Sequence, residues 1–123
     1  MTINQGNIYW VSLEGSSYSH PHVIIQDDVL NHSRLDTVVV CALSTNLKRA
    51  KTHGNVLLEA GEANLPKQSV VVVSQVSTVK KSQLGGYIGS LTGQRIDQIL
   101  AGMQFLQRMA ERHETGEENN GQK

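Results

Sequence analysis

Two histidines separated by one proline, His20-Pro21-His22, open an apolar run, Val23-Ile24-Ile25, that ends in the acidic pair Asp27-Asp28. Imidazole has a reference pKa of ~6.5, so it exchanges a proton near neutrality. Two of them on one strand, one residue apart, fall on the same face because side chains alternate with period two. Such a pair suits acid and base work, with His20 as the acid/base and His22 beside it, or binding of a phosphate as imidazolium. A hydroxyl pair, Ser44-Thr45, closes a second apolar run and offers further donors. Just beyond it comes Lys48-Arg49-Ala50-Lys51-Thr52-His53, with four side chains that are cationic or can become so.

This inventory matches what RNA cleavage asks for. The ribose 2′-OH attacks the adjacent phosphorus, so the protein must supply a base, a cation and an acid rather than a nucleophile or a metal. The basic segment can track an RNA backbone by neutralising phosphates. On composition alone blander readings stand beside these: His20 a solvated turn residue, Ser44 a strand-end cap, and the basic segment a solvated turn. His20, His22 and His32 with Asp27 or Asp28 match no zinc or calcium spacing, so no metal site is expected. Trp10 and Tyr18 lie nearest the histidines, with Trp10 expected to pack in a core or an interface.

The elements that must hold these residues are mostly short strands. Gly6 to Leu13, Val23 to Gln26, Thr37 to Ser44, Asn55 to Glu59 and Ser69 to Val79 are rich in branched and aromatic residues. Leu84 to Leu91 reads as a further strand, with a turn or bulge at Gly85-Gly86. Only after Thr92, a good N-cap, does the period change: Ile96, Ile99, Leu100, Met103 and Leu106 recur at helical spacing, with Phe105 and Met109 widening the stripe. The helix is expected to end near Ala110. The fold class is thus mainly β with a C-terminal helix, a small barrel.

At 123 residues the chain is one domain. Its 11 basic and 11 acidic side chains cancel, so no strong field advertises a nucleic-acid partner. The balance is uneven: residues 111–123 carry four acids and two bases, which leaves +2 on residues 1–110. The organisation expected is a domain over 1–110 and a polar, disordered tail over 111–123. Cys41 is alone in the chain, so no internal disulfide is possible, and its apolar surroundings suit a small buried hydrophobe. No signal peptide and no span-length apolar run is seen, so a cytoplasmic protein without membrane contact is expected.

Several segments together resemble the MazF/PemK toxins, small bacterial endoribonucleases. Gly6 to Leu13 is similar to that family's opening strand. Pro21 to Lys51 follows its pattern through Ile24-Ile25-Gln26-Asp27-Asp28, Asn31, Ala42-Leu43-Ser44-Thr45 and Lys48-Arg49-Ala50-Lys51. Ser69 to Val79, then Leu84, Ile88-Gly89 and Leu91, lead to the closing helix. The resemblance covers about residues 6–110 and implies a small SH3-like, CcdB-like β barrel. It implies a homodimer that cuts single-stranded RNA without a metal or other cofactor, leaving 2′,3′-cyclic phosphate and 5′-OH ends, and that a cognate antitoxin neutralises. Ser44 matches the hydroxyl that contacts the scissile phosphate, with Thr45 beside it, and Gln75 matches a glutamine facing the RNA. Lys48, Arg49 and Lys51 are the expected RNA-backbone cations, with His22 also on the RNA. His20 stands where the family has its catalytic arginine, and the Glu14 to Ser19 loop is shorter than usual. Two rival readings follow: an inactive binder of RNA or antitoxin on the same scaffold, and a CcdB-like gyrase poison.

Overall fold

The computed structural model describes residues 2–13 and 15–121, with side chains up to Arg108. Six strands carry the fold: β1 (Asn7–Ser12), β2 (Ser19–Ile24), β3 (Thr37–Ser44), β4 (Val56–Leu58), β5 (Ser69–Lys80) and β6 (Leu84–Ser90). Two helices, α1 (Asp28–Asn31) and α2 (Gly93–Gly121), and short 3-10 turns at Leu47–Lys51, Glu62–Asn64 and Lys81–Gln83 join or cap them. The strands form one sheet in the order β4-β5-β3-β2-β1-β6, with every neighbouring pair antiparallel. It curls into a half barrel, the mainly β architecture expected from the strand spacing.

Alternation along the strands explains why both sheet faces are covered. Ile8, Val23, Cys41, Leu43, Val71 and Val73 turn one way and pack with Leu58, Leu65 and Ile99 of α2. Tyr9, Val11, Ile24, Val38, Val40 and Val79 turn the other way and form a second core. The lone thiol sits inside the first core: Cys41 is fully buried, its Sγ donates to the Val72 carbonyl at 3.0 Å, and burial pushes its pKa up to about 12.

Asp27 and Asp28 are spent on local structure. Asp27 caps α1 by accepting from the Val29 N–H at 2.8 Å, while Asp28 accepts from the Gln5 N–H at 2.6 Å and the Asn31 amide at 3.0 Å. The Gln5 N–H in particular holds the Asp28 carboxyl below its ordinary pKa. Asn31 in turn donates to the Gln26 carbonyl at 2.7 Å, so the segment after β2 is fixed by its own polar residues.

Thr92 caps the last helix as its sequence suggests, accepting from the Arg95 N–H at 3.3 Å. Ile99 is buried and Ile96 and Met103 half-buried, but Leu100, Phe105 and Leu106 stay exposed, so only part of the expected stripe is core. The helix lies across β4 and β5, and its backbone approaches the β4 side closely at Gly102: a Cβ there would stand 2.0 Å from the Gly54 carbonyl oxygen. Its backbone continues past the expected stop at Ala110 to Gly121, with no proline to break it. The polar stretch 111–123 is therefore helical backbone as far as Gly121. Its side chains, and residues 122–123, lie outside the described residues.

Candidate active site

The pairing between β2 and β3 sets the geometry of the site. His22 lies opposite Ala42, and the ladder ends at that pair. Continuing the same register brings His20 level with Ser44. Pro21 falls one residue past the end of that ladder, where its missing N–H breaks no β2–β3 bond. Here a cleft of about 380 Å³ opens, lined by Leu13, His20, Pro21, His22, Ala42, Leu43, Ser44, Thr45, Arg49 and Gln75.

Gln75 reaches the cleft through an irregularity in β5. Cys41 pairs with Val76 and Leu43 with Val71, so five steps along β5 oppose two along β3. The surplus residues bulge, which aims the exposed Gln75 at the opening. Arg49 arrives by a different device. Ser44 Oγ accepts from the Asn46 N–H at 3.1 Å and Asn46 Oδ1 accepts from the Lys48 N–H at 3.2 Å, starting a 3-10 turn directly after β3. Such a turn rotates successive side chains by roughly 120°. The basic segment therefore does not act as one surface. Arg49 lines the cleft, Lys48 and Lys51 are exposed outside it, and His53 turns toward α2, its ring 5.9 Å from that of Phe105.

The two histidines are in unlike environments. His20 is exposed, whereas His22 is only 2% exposed and its Nδ1 sits 2.9 Å from the His20 carbonyl oxygen. A carbonyl can only accept, so Nδ1 carries the proton and Nε2 keeps its lone pair. Burial lowers the His22 pKa below its ordinary value; the bond to the His20 carbonyl opposes this, and the nearby His20 imidazole adds to it. His22 is thus a neutral imidazole of fixed tautomer at neutral pH, with Nε2 as its proton-accepting nitrogen. Ser44 still has its own hydroxyl proton to donate, and Arg49 brings a permanent cation.

The other sequence candidates lie apart from the cleft. His32 bonds through Nε2 to Asn4 Oδ1 at 2.8 Å, and among the described residues no three His, Cys, Asp or Glu side chains converge to hold a metal. A larger hollow of about 560 Å³ lies between His53–Leu57 and α2, but its guanidinium, Arg95, is already paired with Glu62 at 2.6 Å. Trp10 is not in the core of the chain. It is 44% exposed, because Tyr9 and Val11 take the inward positions on either side. The sequence reading gave no weight to Asn64 or Tyr87, which stand beside Trp10 around a separate hollow next to the cleft.

The fold defines a small half-barrel β protein closed by one helix, with its polar groups gathered where β2 and β3 part. The chain belongs to the PemK-like, MazF-like toxins of type II toxin-antitoxin systems, whose family model matches residues 4–106. It is 33% identical over 108 residues to Endoribonuclease MazF2 of Mycobacterium bovis, a match covering 84% of this chain and 95% of that one. Endoribonuclease EndoA of Bacillus subtilis is 26% identical over 110 residues, covering 85% and 94%. Among solved structures, a mycobacterial endoribonuclease in complex with its cognate antitoxin superposes with a TM-score of 0.69 at 22% identity, over 81% of this chain and 89% of that one. A MazE-MazF structure from Deinococcus radiodurans gives 0.69 at 12% identity, over 86% and 95%. These structural likenesses establish the fold. No helix among the described residues is long and apolar enough to cross a membrane.

Proposed function

We propose that this protein is an endoribonuclease toxin that cleaves single-stranded RNA in the β2–β3 cleft and is neutralised by a cognate antitoxin. The observation that carries the reading is the meeting of His20, His22, Ser44, Thr45, Arg49 and Gln75 in one cleft of a family chain. His22 Nε2 takes the proton of the 2′-OH as that oxygen bonds to phosphorus. Arg49, with the Ser44 hydroxyl and the Gln75 amide, neutralises and orients the phosphate oxygens as charge builds on them. The bond from phosphorus to the 5′-oxygen breaks, and His20 as imidazolium gives that oxygen its proton. The products are a 2′,3′-cyclic phosphate and a 5′-hydroxyl. No metal and no cofactor takes part.

In this reading His20 and Arg49 divide what a single arginine does in the resembling family. The imidazole handles the proton and the guanidinium the charge. The working form is a homodimer in the cytoplasm, and the antitoxin acts by covering the cleft. Lys48 and Lys51 are exposed on the turn that carries Arg49, and they attract RNA without touching the scissile phosphate. The test is incubation of the purified protein with mixed-sequence RNA in EDTA, followed by mapping of fragment ends. Discrete cuts support the enzyme; intact RNA with retained binding supports the inactive binder, and gyrase inhibition with neither supports the poison.

A further inference from the structure

Beside the cleft lies a second hollow of about 440 Å³, lined mainly by apolar side chains, among them Trp10, Pro21, Leu65 and Tyr87. Pro21 and Thr45 line both spaces, so the two adjoin. The volume falls in the range of small-molecule pockets.

Its walls are fixed before anything binds. The Trp10 indole lies against Gly86, whose Cβ would stand 3.7 Å from Trp10 Cδ1. Tyr87, 53% exposed, is anchored from behind: its ring meets that of Tyr9 edge-on at 5.6 Å, and its hydroxyl donates to Ser90 Oγ at 2.6 Å. Ser90 passes its own proton to Asn7 Oδ1 at 2.7 Å, which settles that direction. On the facing wall Ala63 and Asn64 both hold left-handed backbone, φ 49° and 62°, the two non-glycine residues that do so among the described residues. Gly89 permits it, since a Cβ there would stand 2.1 Å from the Ala63 carbonyl oxygen. Asn64 Nδ2 donates to the Ile88 carbonyl at 3.0 Å, which orients the amide and leaves its Oδ1 without a hydrogen-bond donor among the described residues. Strained backbone and pinned aromatics around a hollow are the marks of a preorganised binding site.

We infer that this hollow is a nucleobase subsite: a base flanking the scissile phosphate stacks on Trp10 and Tyr87 and is read along its edge by Asn64. The inference rests on the proposal that RNA occupies the adjoining cleft. Bases suit the site because each has an apolar face to stack and a polar edge to read. Lys67 at the rim neutralises the phosphate that accompanies the base. A buried side chain of a second copy would need the faces but not the amide edge or the cation.

Trp10 is the single tryptophan of the chain, so tryptophan-selective fluorescence reports on this hollow. The experiment titrates the full protein with 2′-O-methyl dodecanucleotides of A, C, G and U, which lack the attacking hydroxyl, and with an abasic backbone of equal length. Stacking predicts quenching of Trp10 by at least one base and none by the abasic strand. Tyr87→Leu is expected to weaken binding of the quenching oligonucleotide by roughly 5- to 150-fold, the range for one stacked base, and that of the abasic strand not at all. Asn64→Ala is expected to flatten the preference among bases. Oligonucleotides that bind without changing Trp10 emission overturn the subsite while leaving the proposed function standing; failure to bind any strand overturns both. Blue-shifted Trp10 emission shielded from acrylamide in the free protein also overturns it, because a second copy then covers the hollow.

Discussion

Nδ1 of His22 lies 2.9 Å from the carbonyl oxygen of His20, two residues back on the same strand. This bond makes one histidine the steering group for the other. It fixes which nitrogen of His22 is free to accept a proton, while the His20 ring stays exposed at the cleft.

Replacing His22 by Gln is therefore expected to lower cleavage by about 10² to 10⁴-fold, the usual contribution of a positioned base. Circular dichroism should show an intact fold. In the parent, the acidic limb of the pH–rate profile should lie below 6.5, because burial holds the His22 pKa under that ordinary value. An acidic limb unchanged in His22→Gln would assign the base elsewhere.

The same burial links folding to pH. In the unfolded chain His22 takes up its proton near 6.5, whereas in the folded chain it does so only at lower pH. Stability from this group is complete above about 6.5, falls as pH drops toward the folded value, and then levels off. Urea midpoints measured from pH 7.5 downward should fall more steeply for the parent than for His22→Gln, which cannot titrate.

Arg49 and its neighbours on the 3-10 turn should separate experimentally. Arg49→Ala is expected to reduce cleavage sharply and to lower the salt slope of RNA binding by roughly 0.7, one phosphate contact on a single strand. Lys48→Ala and Lys51→Ala should weaken binding modestly and leave the rate at saturation unchanged. Equal losses for all three would mean that the turn works as one surface.

Packing of α2 offers a test away from the cleft. Gly102→Ala forces a Cβ against the Gly54 carbonyl at 2.0 Å, and backbone cannot swing aside as a side chain does. A loss of about 1–3 kcal/mol in stability is expected from thermal unfolding. An unchanged melting temperature would mean that the helix does not pack as described.

Much of this was legible in the chain, and the gaps have physical causes. The strands show through their branched residues, and Thr92 marks the last helix by its cap. The β2–β3 meeting of His20, His22, Ser44 and Thr45 follows from strand ends. Arg49 parts from Lys48 and Lys51 only because the segment is a 3-10 turn, which residue types do not reveal. The outward face of Trp10 depends on the β1 register, and the left-handed backbone at Ala63-Asn64 depends on Gly89 coming close from β6. Those are long-range facts. Beyond Ala110 the sequence of α2 carries no apolar residue, so the apolar period that located the helix gives no sign of where it ends.

The most direct measurement is the chemistry of the cut ends. Mixed-sequence RNA incubated with the protein in EDTA should yield discrete fragments bearing 2′,3′-cyclic phosphate and 5′-hydroxyl termini, identified by mass spectrometry. His20→Gln and His22→Gln should each suppress them. Intact RNA, or fragments with 5′-phosphate ends, would contradict the two-histidine mechanism.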